Sequence, residues 1–564
     1  MKVLIVGGVA GGATAAARLR RLDENAEIIV FERSGYVSYA NCGLPYYIGD
    51  IITEEKKLTL QTPLTFKARF NIDIRVKNEV TAIDPSAKTV TVKDLESGKE
   101  YTENYDKLIL SPGARAVMPP IPGIDKGNIF TLRTVEDTFK IKNFIEESSP
   151  KSAVVVGGGF IGLEMAENLM ELGLEVTVVE QLDQVMSPLD FDMAQEIHGY
   201  LRSRGLKLML SSSVQGFDFD GSKMTVMVKD SAPVKCDMVL MGVGVAPDTA
   251  LAKAAGIQLG ARGGIIVDDH MRTSVHDIYA VGDAVIIKNY VSEQNALISL
   301  AGPANKQGRI AADNIYGLDS SFKGSMGSSV IKLFDMTAAS TGLNEKAAKA
   351  LGISYEKSYT YSASHAGYYP GGTNMSVKVL FTPDQGRILG AQIVGFDGVD
   401  KRIDVFATAI MAGMTSCELE DLDLAYAPPY SSAKDPVNMV GYNIENLISG
   451  RVKQYHWHDI ASLPTDGSIV MLDVRTEREY DMGHIDGAVH IPLEELRGRL
   501  DELDKSKPLY INCRSGQRSY IACRMLSQLG YDCYNLAGGF RLYEAVTGNP
   551  PLSESYTGEC GLKM

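Results

Sequence analysis

Apolar and polar positions along the chain first follow a strand rhythm, then a helical one. "KVLIV" is a continuous β-branched run, "GGVAGG" breaks it, "ATAAARLRRL" sets alanines against arginines with helical spacing, and "EIIVFER" returns to an apolar run closed by an acid. That succession predicts a β-turn-α-β unit. It returns 150 residues later in "SAVVVGGGFIGLEMAENLMELGLEVTVVEQ". After "ENLISGRVKQYHWHDI" the rhythm restarts, with "SIVMLDVR" and "KPLYINC" as strands and "RSGQRSYIACRMLSQLG" as an amphipathic helix. Strands alternating with helices in this way predict an α/β chain. The 564 residues, at roughly 100 to 200 per domain, predict roughly three to five domains.

Composition narrows the class. With 45% hydrophobic and 22% charged residues and 55 glycines, the chain is globular. Its net charge of -14 argues against a nucleic acid or an anionic membrane as partner. No apolar run approaches the roughly 18 residues of a membrane span. The N-terminus has a signal-like Lys2 and apolar start, but glycines interrupt it after Val6, and it is read as retained. The seven cysteines, at 42, 236, 417, 513, 523, 533 and 560, contain no C-x-x-C pair, and there are eight histidines. Neither a disulfide framework nor zinc spacing is visible, no metal is expected, and a reducing cytoplasm fits.

The two glycine-rich turns carry the first chemistry. Gly7, Val9 and Gly12 occupy the G-x-G-x-x-G positions with the second glycine replaced, and Glu32 follows 20 residues after Gly12. Gly157, Gly159 and Gly162 fill the pattern, and Glu180 ends the following strand. A helix N-terminus after such a turn suits a pyrophosphate, and the acid suits a ribose diol. Because Glu180 would repel a 2′-phosphate and no arginine follows directly, NADH is expected over NADPH. Two nucleotide folds in one chain predict one resident and one exchanging nucleotide, as in a flavoprotein reductase.

"TSVHDIYAVGDA", "YDKLILSPGA" and "CDMVLMGVGVAPD" then resemble the late flavin motif and the two strand-to-glycine junctions of the pyridine nucleotide-disulfide oxidoreductases. The resemblance covers residues 1 to about 445 and implies FAD on Gly7, Gly12, Glu32 and Asp283, and NADH on Gly157, Gly159, Gly162 and Glu180. It also implies that Glu164 and Phe160 lie near the nicotinamide and flavin. Where other members carry a second cysteine, five positions past Cys42, this chain has Tyr47, so Cys42 must pair with a substrate thiol, a persulfide sulfur or an oxygen. A bound oxidised flavin and a helix N-terminus would favour its thiolate.

Thr14, Arg18 and Arg21 share one helical stripe. By spacing alone it is a solvated face, but "SYANCGLPYYIG" with "ARLRR" resembles the single-cysteine coenzyme A-disulfide reductases. That likeness implies that Thr14, Arg18, Arg21, Ser38 and Asn41 contact coenzyme A, arginine forks suiting its phosphates. It further implies an interface domain over 321–445 and an obligate homodimer with shared active sites. In it Tyr368 and Tyr426 would reach the partner's cysteine and Lys434 the substrate, with Tyr369 and Tyr430 open as alternatives.

At the C-terminus, Cys513 ends a strand and its loop enters a helix, so backbone N–H groups and the helix dipole point at the sulfur. The motifs "LDVR", "GHIDGAVHIP" and "CRSGQRS" resemble a rhodanese domain, implying that Arg514, Gly516, Arg518 and Ser519 shape a persulfide cradle around Cys513. Cys523 and Cys533 read as core residues, and Cys560 as a tail residue.

The expected organisation is two Rossmann-like domains, FAD-binding (1–112 and 246–320) and NAD-binding (113–245), then an α+β dimerisation domain (321–445). A linker (446–455), a rhodanese α/β domain (456–550) and a tail (551–564) complete it. The expected activity is NADH-dependent reduction of coenzyme A persulfide, polysulfide and disulfides, with catalytic Cys42, Cys513, Tyr368 and Tyr426 and with FAD, NADH and coenzyme A as cofactors. Alternatives are coenzyme A disulfide as the main substrate, an NADH peroxidase or oxidase through a Cys42 sulfenic acid, and a non-enzymatic redox sensor.

Overall fold

In the computed structural model, which describes residues 1–548, the run "KVLIV" becomes the middle strand of a parallel sheet. Its order is Ile278–Ala280, Lys107–Leu110, Lys2–Val6, Glu27–Glu32, Asp73–Val76. Val3, Leu4 and Ile5 have no exposed surface, as expected of a β-branched strand with helices on both faces. A second parallel sheet repeats the plan with Ser152–Val156 in the middle, flanked by Glu175–Val179 and Met238–Met241 and ending on Lys207–Met209 and Ile129–Phe130. Each half also inserts a three-stranded antiparallel sheet, Asn78–Asp84 to Glu100–Asn104 before Lys107–Leu110 in one and Val214–Phe219 to Val234–Cys236 before Met238–Met241 in the other. The strand pair Ala114–Ala116 and Val245–Pro247 lies at the two junctions where the chain passes between the halves.

These elements form one compact unit, Met1–Val185 with Leu206–Gly327; the other comprises Met186–Gly205 and the chain from Ser328 on. The helix Phe191–Ser203 thus groups with the second unit, although the sequence placed it inside the NAD domain. Within that second unit a five-stranded antiparallel sheet carries two central strands, Asn374–Phe381 and Ile388–Gly395, buried along almost their whole length. Lys378 sits in one of them without exposed surface, its ammonium 2.8 Å from Asp192, 3.0 Å from Asp190 and 2.5 Å from Glu345. A buried cation is tolerated only because three carboxylates surround it.

The C-terminal domain is a parallel sheet ordered Lys453–Tyr455, Cys533–Leu536, Leu509–Asn512, Val470–Asp473, Val489–His490. The expected linker 446–455 is therefore mostly structure: the helix Pro436–Ile448 enters it, and Lys453–Tyr455 is an edge strand of this sheet. Its apolar side chains simply continue the two patterns that flank it. Cys523 and Cys533 are core residues, whereas Cys560 lies outside the described residues.

Candidate active sites

Both glycine turns are built the same way. Gly7 has φ +94°, and a side chain there would meet the Ser111 carbonyl oxygen at 2.1 Å; Gly157 has φ +108° and would meet that of Gly242 at 2.4 Å. Gly12 and Gly162 pack directly on the carbonyls of Gly7 and Gly157, at 1.9 and 2.0 Å from a built Cβ. Val9 replaces a glycine without strain because its φ is −100°, in the ordinary left half of the map, and Gly159 at φ −82° likewise needs no left-handed conformation.

The paired acids close each turn. Glu32 Oε2 accepts from the Gly8 N–H at 2.9 Å and its Oε1 from Ser34 N–H at 2.9 Å. Glu180 accepts from Gly158 N–H at 2.6 Å and Leu182 N–H at 2.8 Å. Neither following helix, Ala10–Leu22 or Phe160–Glu171, has a side-chain cap on its first N–H groups, and the Cβ position at Gly159 is open. These turns fit a dinucleotide: free helix N–H groups for the pyrophosphate, and acids on the last residue of the second strand or just beyond it for the ribose.

Cys42 lies in a short 3-10 turn, Asn41–Gly43, ahead of the helix Leu44–Ile48. Gly49 ends that helix against the helix Phe160–Glu171, where a Cβ would fall 2.0 Å from Asn168 Oδ1. Asn168 in turn donates to the Glu164 carbonyl at 2.7 Å. The segment is thereby set beside Glu164, whose carboxyl accepts from the Tyr46 hydroxyl. Burial, then the charge of Glu167, raises Glu164 to about 7. Burial and the same acids push Tyr46 up to about 12.

The protein's own groups also raise the Cys42 thiol. Cys42 reaches solvent, yet the protein packed around it raises its pKa, Glu164 and Asp283 push the same way, and only Arg133 opposes them. Among the protein's groups Arg133 favours the thiolate, while the following helix, of only five residues, adds little dipole. Arg133 is the residue the sequence did not reveal. Its N–H is fixed by Asp137 in the Thr134 capping box, and its guanidinium binds the Ala114 carbonyl at 3.0 Å and Asp283 at 2.7 Å. Tyr47, at the second-cysteine position, is packed away: its ring meets Phe139 edge-on at 6.0 Å and the Lys142 ammonium at 5.4 Å.

The basic stripe divides. Thr14 donates to Asn305 at 2.6 Å and Arg18 pairs with Asp313 at 2.6 Å, both on the helix Ala301–Ile315, while Arg21 lies 5.6 Å over the Phe70 ring. Arg20, unremarked in the sequence, is buried and binds five backbone carbonyls. Ser38 takes φ +49° with its N–H on the Gly8 carbonyl, which carries the chain from the first glycine turn toward Asn41 and Cys42.

In the second unit the Tyr368 and Tyr426 hydroxyls meet at 2.5 Å. Buried Arg402 ties their two segments together, binding the Ser364 carbonyl, Ser431 and Asp435 at 2.9, 3.1 and 3.0 Å. Tyr369 turns instead onto the His365 ring, Tyr430 is exposed without joining the tyrosine pair, and Lys434 is exposed. The exposed Tyr368 and Tyr426 rings, 74% and 46% accessible, form a polar knob on this chain.

Cys513 is fully buried at the base of its loop. Gly516 N–H donates to its sulfur at 3.1 Å and the Ser519 hydroxyl at 3.3 Å, ahead of the helix Gln517–Gln528. The two loop arginines are engaged elsewhere: Arg518 grips Glu479 with two bonds of 2.7 Å, and Arg514 binds Glu544 at 2.7 Å. Glu479 also completes the capping box of Thr476, so one carboxylate fixes a helix start and the loop. "LDVR" forms a buried pair, Arg475 Nη2 to Asp473 Oδ2 at 2.7 Å, with the guanidinium 4.1 Å over Phe540.

Two dinucleotide folds, a lone thiol beside one of them and a sulfur-binding loop define an FAD- and NAD(H)-dependent oxidoreductase with an appended sulfur-handling domain. Residues 1–308 match the family described as pyridine nucleotide-disulphide oxidoreductase, 328–436 its dimerisation domain, and 457–545 the rhodanese-like domain. The chain belongs to the pyridine nucleotide-disulphide oxidoreductases. It is 39% identical to a coenzyme A disulfide reductase of Staphylococcus haemolyticus, covering 79% of this chain and 100% of that one. Among solved structures, the reduced CoADR-RHD of Bacillus anthracis superposes with a TM-score of 0.95 at 50% identity, covering 97% of this chain and 98% of that one. A NAD-dependent persulfide reductase from A. fulgidus gives 0.90 at 39%, covering 96% of this chain and 100% of that one.

Proposed function

We propose that this enzyme is an NADH-dependent reductase of coenzyme A persulfide, polysulfide and disulfides that releases thiol and hydrogen sulfide, with sulfane sulfur supplied through Cys513. The observation that carries the reading is the isolation of Cys42: the position of a resolving sulfur holds Tyr47, packed on Phe139 and Lys142, so the second sulfur must come from the substrate. A second site whose donors converge on a buried sulfur gives that substrate a source.

FAD held by Gly7, Gly12, Glu32 and Asp283 supplies two-electron transfer between NADH and sulfur. NADH is held by Gly157, Gly159, Gly162 and Glu180, with Phe160 and Glu164 beside its reactive end. Cys42 Sγ attacks one sulfur of the persulfide. Attack on the outer sulfur frees the thiol and leaves a Cys42 persulfide; attack on the inner sulfur expels hydrosulfide and leaves a mixed disulfide. Two electrons and a proton from NADH and one further proton then release the second product and restore the Cys42 thiol. Glu164, raised to about 7, and its partner Tyr46 hold a proton next to that sulfur. Tyr368 and Tyr426 protonate the leaving thiolate at the Cys42 of the other protomer in a homodimer with shared sites.

Thr14, Arg18, Arg21, Ser38, Asn41 and Lys434 hold the coenzyme A moiety. Arg18 would exchange or share its Asp313 partner with a phosphate. Gly516 and Ser519 cradle the Cys513 sulfur directly, and Arg514 and Arg518 fix the loop through their carboxylates. The described cysteines are free thiols, which supports a cytoplasmic setting.

The test compares NADH oxidation with coenzyme A persulfide, coenzyme A disulfide and polysulfide in the natural enzyme, Cys42→Ser and Cys513→Ser. All three activities are expected to vanish in Cys42→Ser, and polysulfide turnover alone in Cys513→Ser. Full rates in Cys42→Ser with all three substrates would overturn the reading.

A further inference from the structure

The loop that carries Cys513 is held from behind by the start of the helix Gly539–Thr547. The Phe540 N–H donates to the Cys513 carbonyl at 2.8 Å and the Arg541 N–H to the Arg514 carbonyl at 2.9 Å. The approach is close enough that a Cβ on Gly539, at φ +62°, would lie 2.7 Å from both carbonyl oxygens. Arg514 closes the loop onto the same helix through Glu544.

The side chain of Arg541 leaves this domain. Its Nη2 donates at 3.0 Å to Glu196, in the helix Phe191–Ser203, and its guanidinium lies 4.8 Å over the Tyr361 ring. Glu196 uses its other oxygen to accept from the Ser376 hydroxyl at 2.5 Å. Ser376 faces Tyr361 directly across the antiparallel pair of the dimerisation sheet. Arg541 and Glu196 are 9% and 5% exposed, so water competes little for the pair. One residue therefore grips the sulfur loop with its backbone and the neighbouring domain with its side chain.

We propose that Arg541 is a positioning residue for sulfur transfer, coupling the docking of the C-terminal domain on Glu196 to the geometry of the Cys513 loop. The inference rests on the reading of Cys513 as sulfur acceptor. Without the ion pair, the first turn of this helix loses one anchor, and its backbone bonds to the carbonyls of Cys513 and Arg514 are held less firmly. Because displacements of about 1 Å cost reactions up to about 100-fold, a partial loosening is expected to slow transfer about tenfold.

The test uses the full chain. Cys513 is loaded with inorganic polysulfide: its thiolate attacks a terminal sulfur, the adjacent S–S bond breaks, and a polysulfide one sulfur shorter leaves. After removal of excess donor, cyanide takes the outer sulfur as thiocyanate, and the S–S electron pair returns to Cys513 as thiolate. Single-turnover thiocyanate formation, less that of Cys513→Ser, is compared in the natural enzyme, Arg541→Gln, Glu196→Gln and Arg541→Lys. The expected result is a rate about tenfold lower in Arg541→Gln and Glu196→Gln, with unchanged loading and unchanged NADH oxidation with coenzyme A disulfide, which needs no sulfur from Cys513. Arg541→Lys, which keeps the donor charge, should recover to within about threefold. A purely structural role would lower the thermal midpoint and leave the rate constant intact, and that outcome would overturn the proposal, as would equal loss in Arg541→Lys. Thiocyanate formation by Cys513→Ser at the natural rate would instead sink the acceptor reading itself.

Discussion

Replacing Glu164 with Gln tests how the chain controls the Cys42 thiol. Burial and Glu167 move this carboxyl from 4.5 to about 7. At 1.36 kcal/mol per unit, ionising it in place costs roughly 3 kcal/mol more than in water. The sign follows: below pH 4.5 the group is neutral in both folded and unfolded chains and contributes nothing. As pH rises toward 7 the unfolded chain ionises first, so stability declines across that window and levels off above it. Near pH 7 about half the molecules hold the proton, and one unit higher only about a tenth do. The carboxylate that then forms stands among the groups that raise Cys42. Glu164→Gln removes that charge and keeps the shape.

The assay is the pH dependence of Cys42 alkylation by iodoacetamide, followed by mass spectrometry of the Cys42 peptide so that exposed Cys417 does not interfere. Removing one nearby unit charge at an effective dielectric of roughly 20 to 40 is expected to speed alkylation about three- to tenfold at pH 8, with little change at pH 6. The same substitution should abolish any break near pH 7 in the rate of NADH-driven disulfide reduction. An alkylation profile identical to that of the natural enzyme, or slower at pH 8, would refute the electrostatic argument.

Gly308→Ala places a Cβ 2.3 Å from the Gly11 carbonyl oxygen, forcing apart the helices Ala10–Leu22 and Ala301–Ile315. A destabilisation of about 1–3 kcal/mol and a lower flavin content per chain after dialysis are expected, the latter read from visible absorbance. Glu180→Ala leaves the Gly158 and Leu182 N–H groups without their acceptor and deletes the charge that disfavours a 2′-phosphate. The ratio of kcat/KM for NADH over NADPH should fall at least about tenfold, or about 1.4 kcal/mol. Asp473→Asn strips a buried guanidinium of its counter-charge, and about 3–5 kcal/mol should be lost from the C-terminal domain alone. Limited proteolysis should then remove that domain faster while Cys42-dependent NADH oxidation persists.

What the sequence made legible was local in the chain. A glycine turn, a helix and an acid a few tens of residues away fold within one β-α-β unit, so Glu32 and Glu180 could be assigned to their turns from spacing. "CRSGQRS" likewise contains Gly516 N–H and Ser519 Oγ, which reach the Cys513 sulfur. The cysteine loop was legible, but not its electrostatics. Arg133 and Asp283 meet across 150 positions, and the effect of Glu164 depends on a helix contact made by Gly49. Arg20 and Arg21 look alike in the sequence, yet Arg20 alone is drawn under the first helix to bind carbonyls. Lys378, Arg402 and Arg541 had no sequence signal because a buried cation is explained only by acids that arrive from other segments.

Tyr47 has a consequence beyond catalysis. An enzyme with a cysteine pair can rest oxidised by closing on itself, and its thiols are then shielded. Here the loop offers Cys42 an aromatic ring bound to its neighbours, so every stable oxidised form must carry a passenger: a thiol, a sulfur atom or an oxygen. The intact mass of the oxidised chain thus records which sulfur compound it last met, and a cell that ran short of the thiol passenger would leave Cys42 open to the irreversible steps of oxidation.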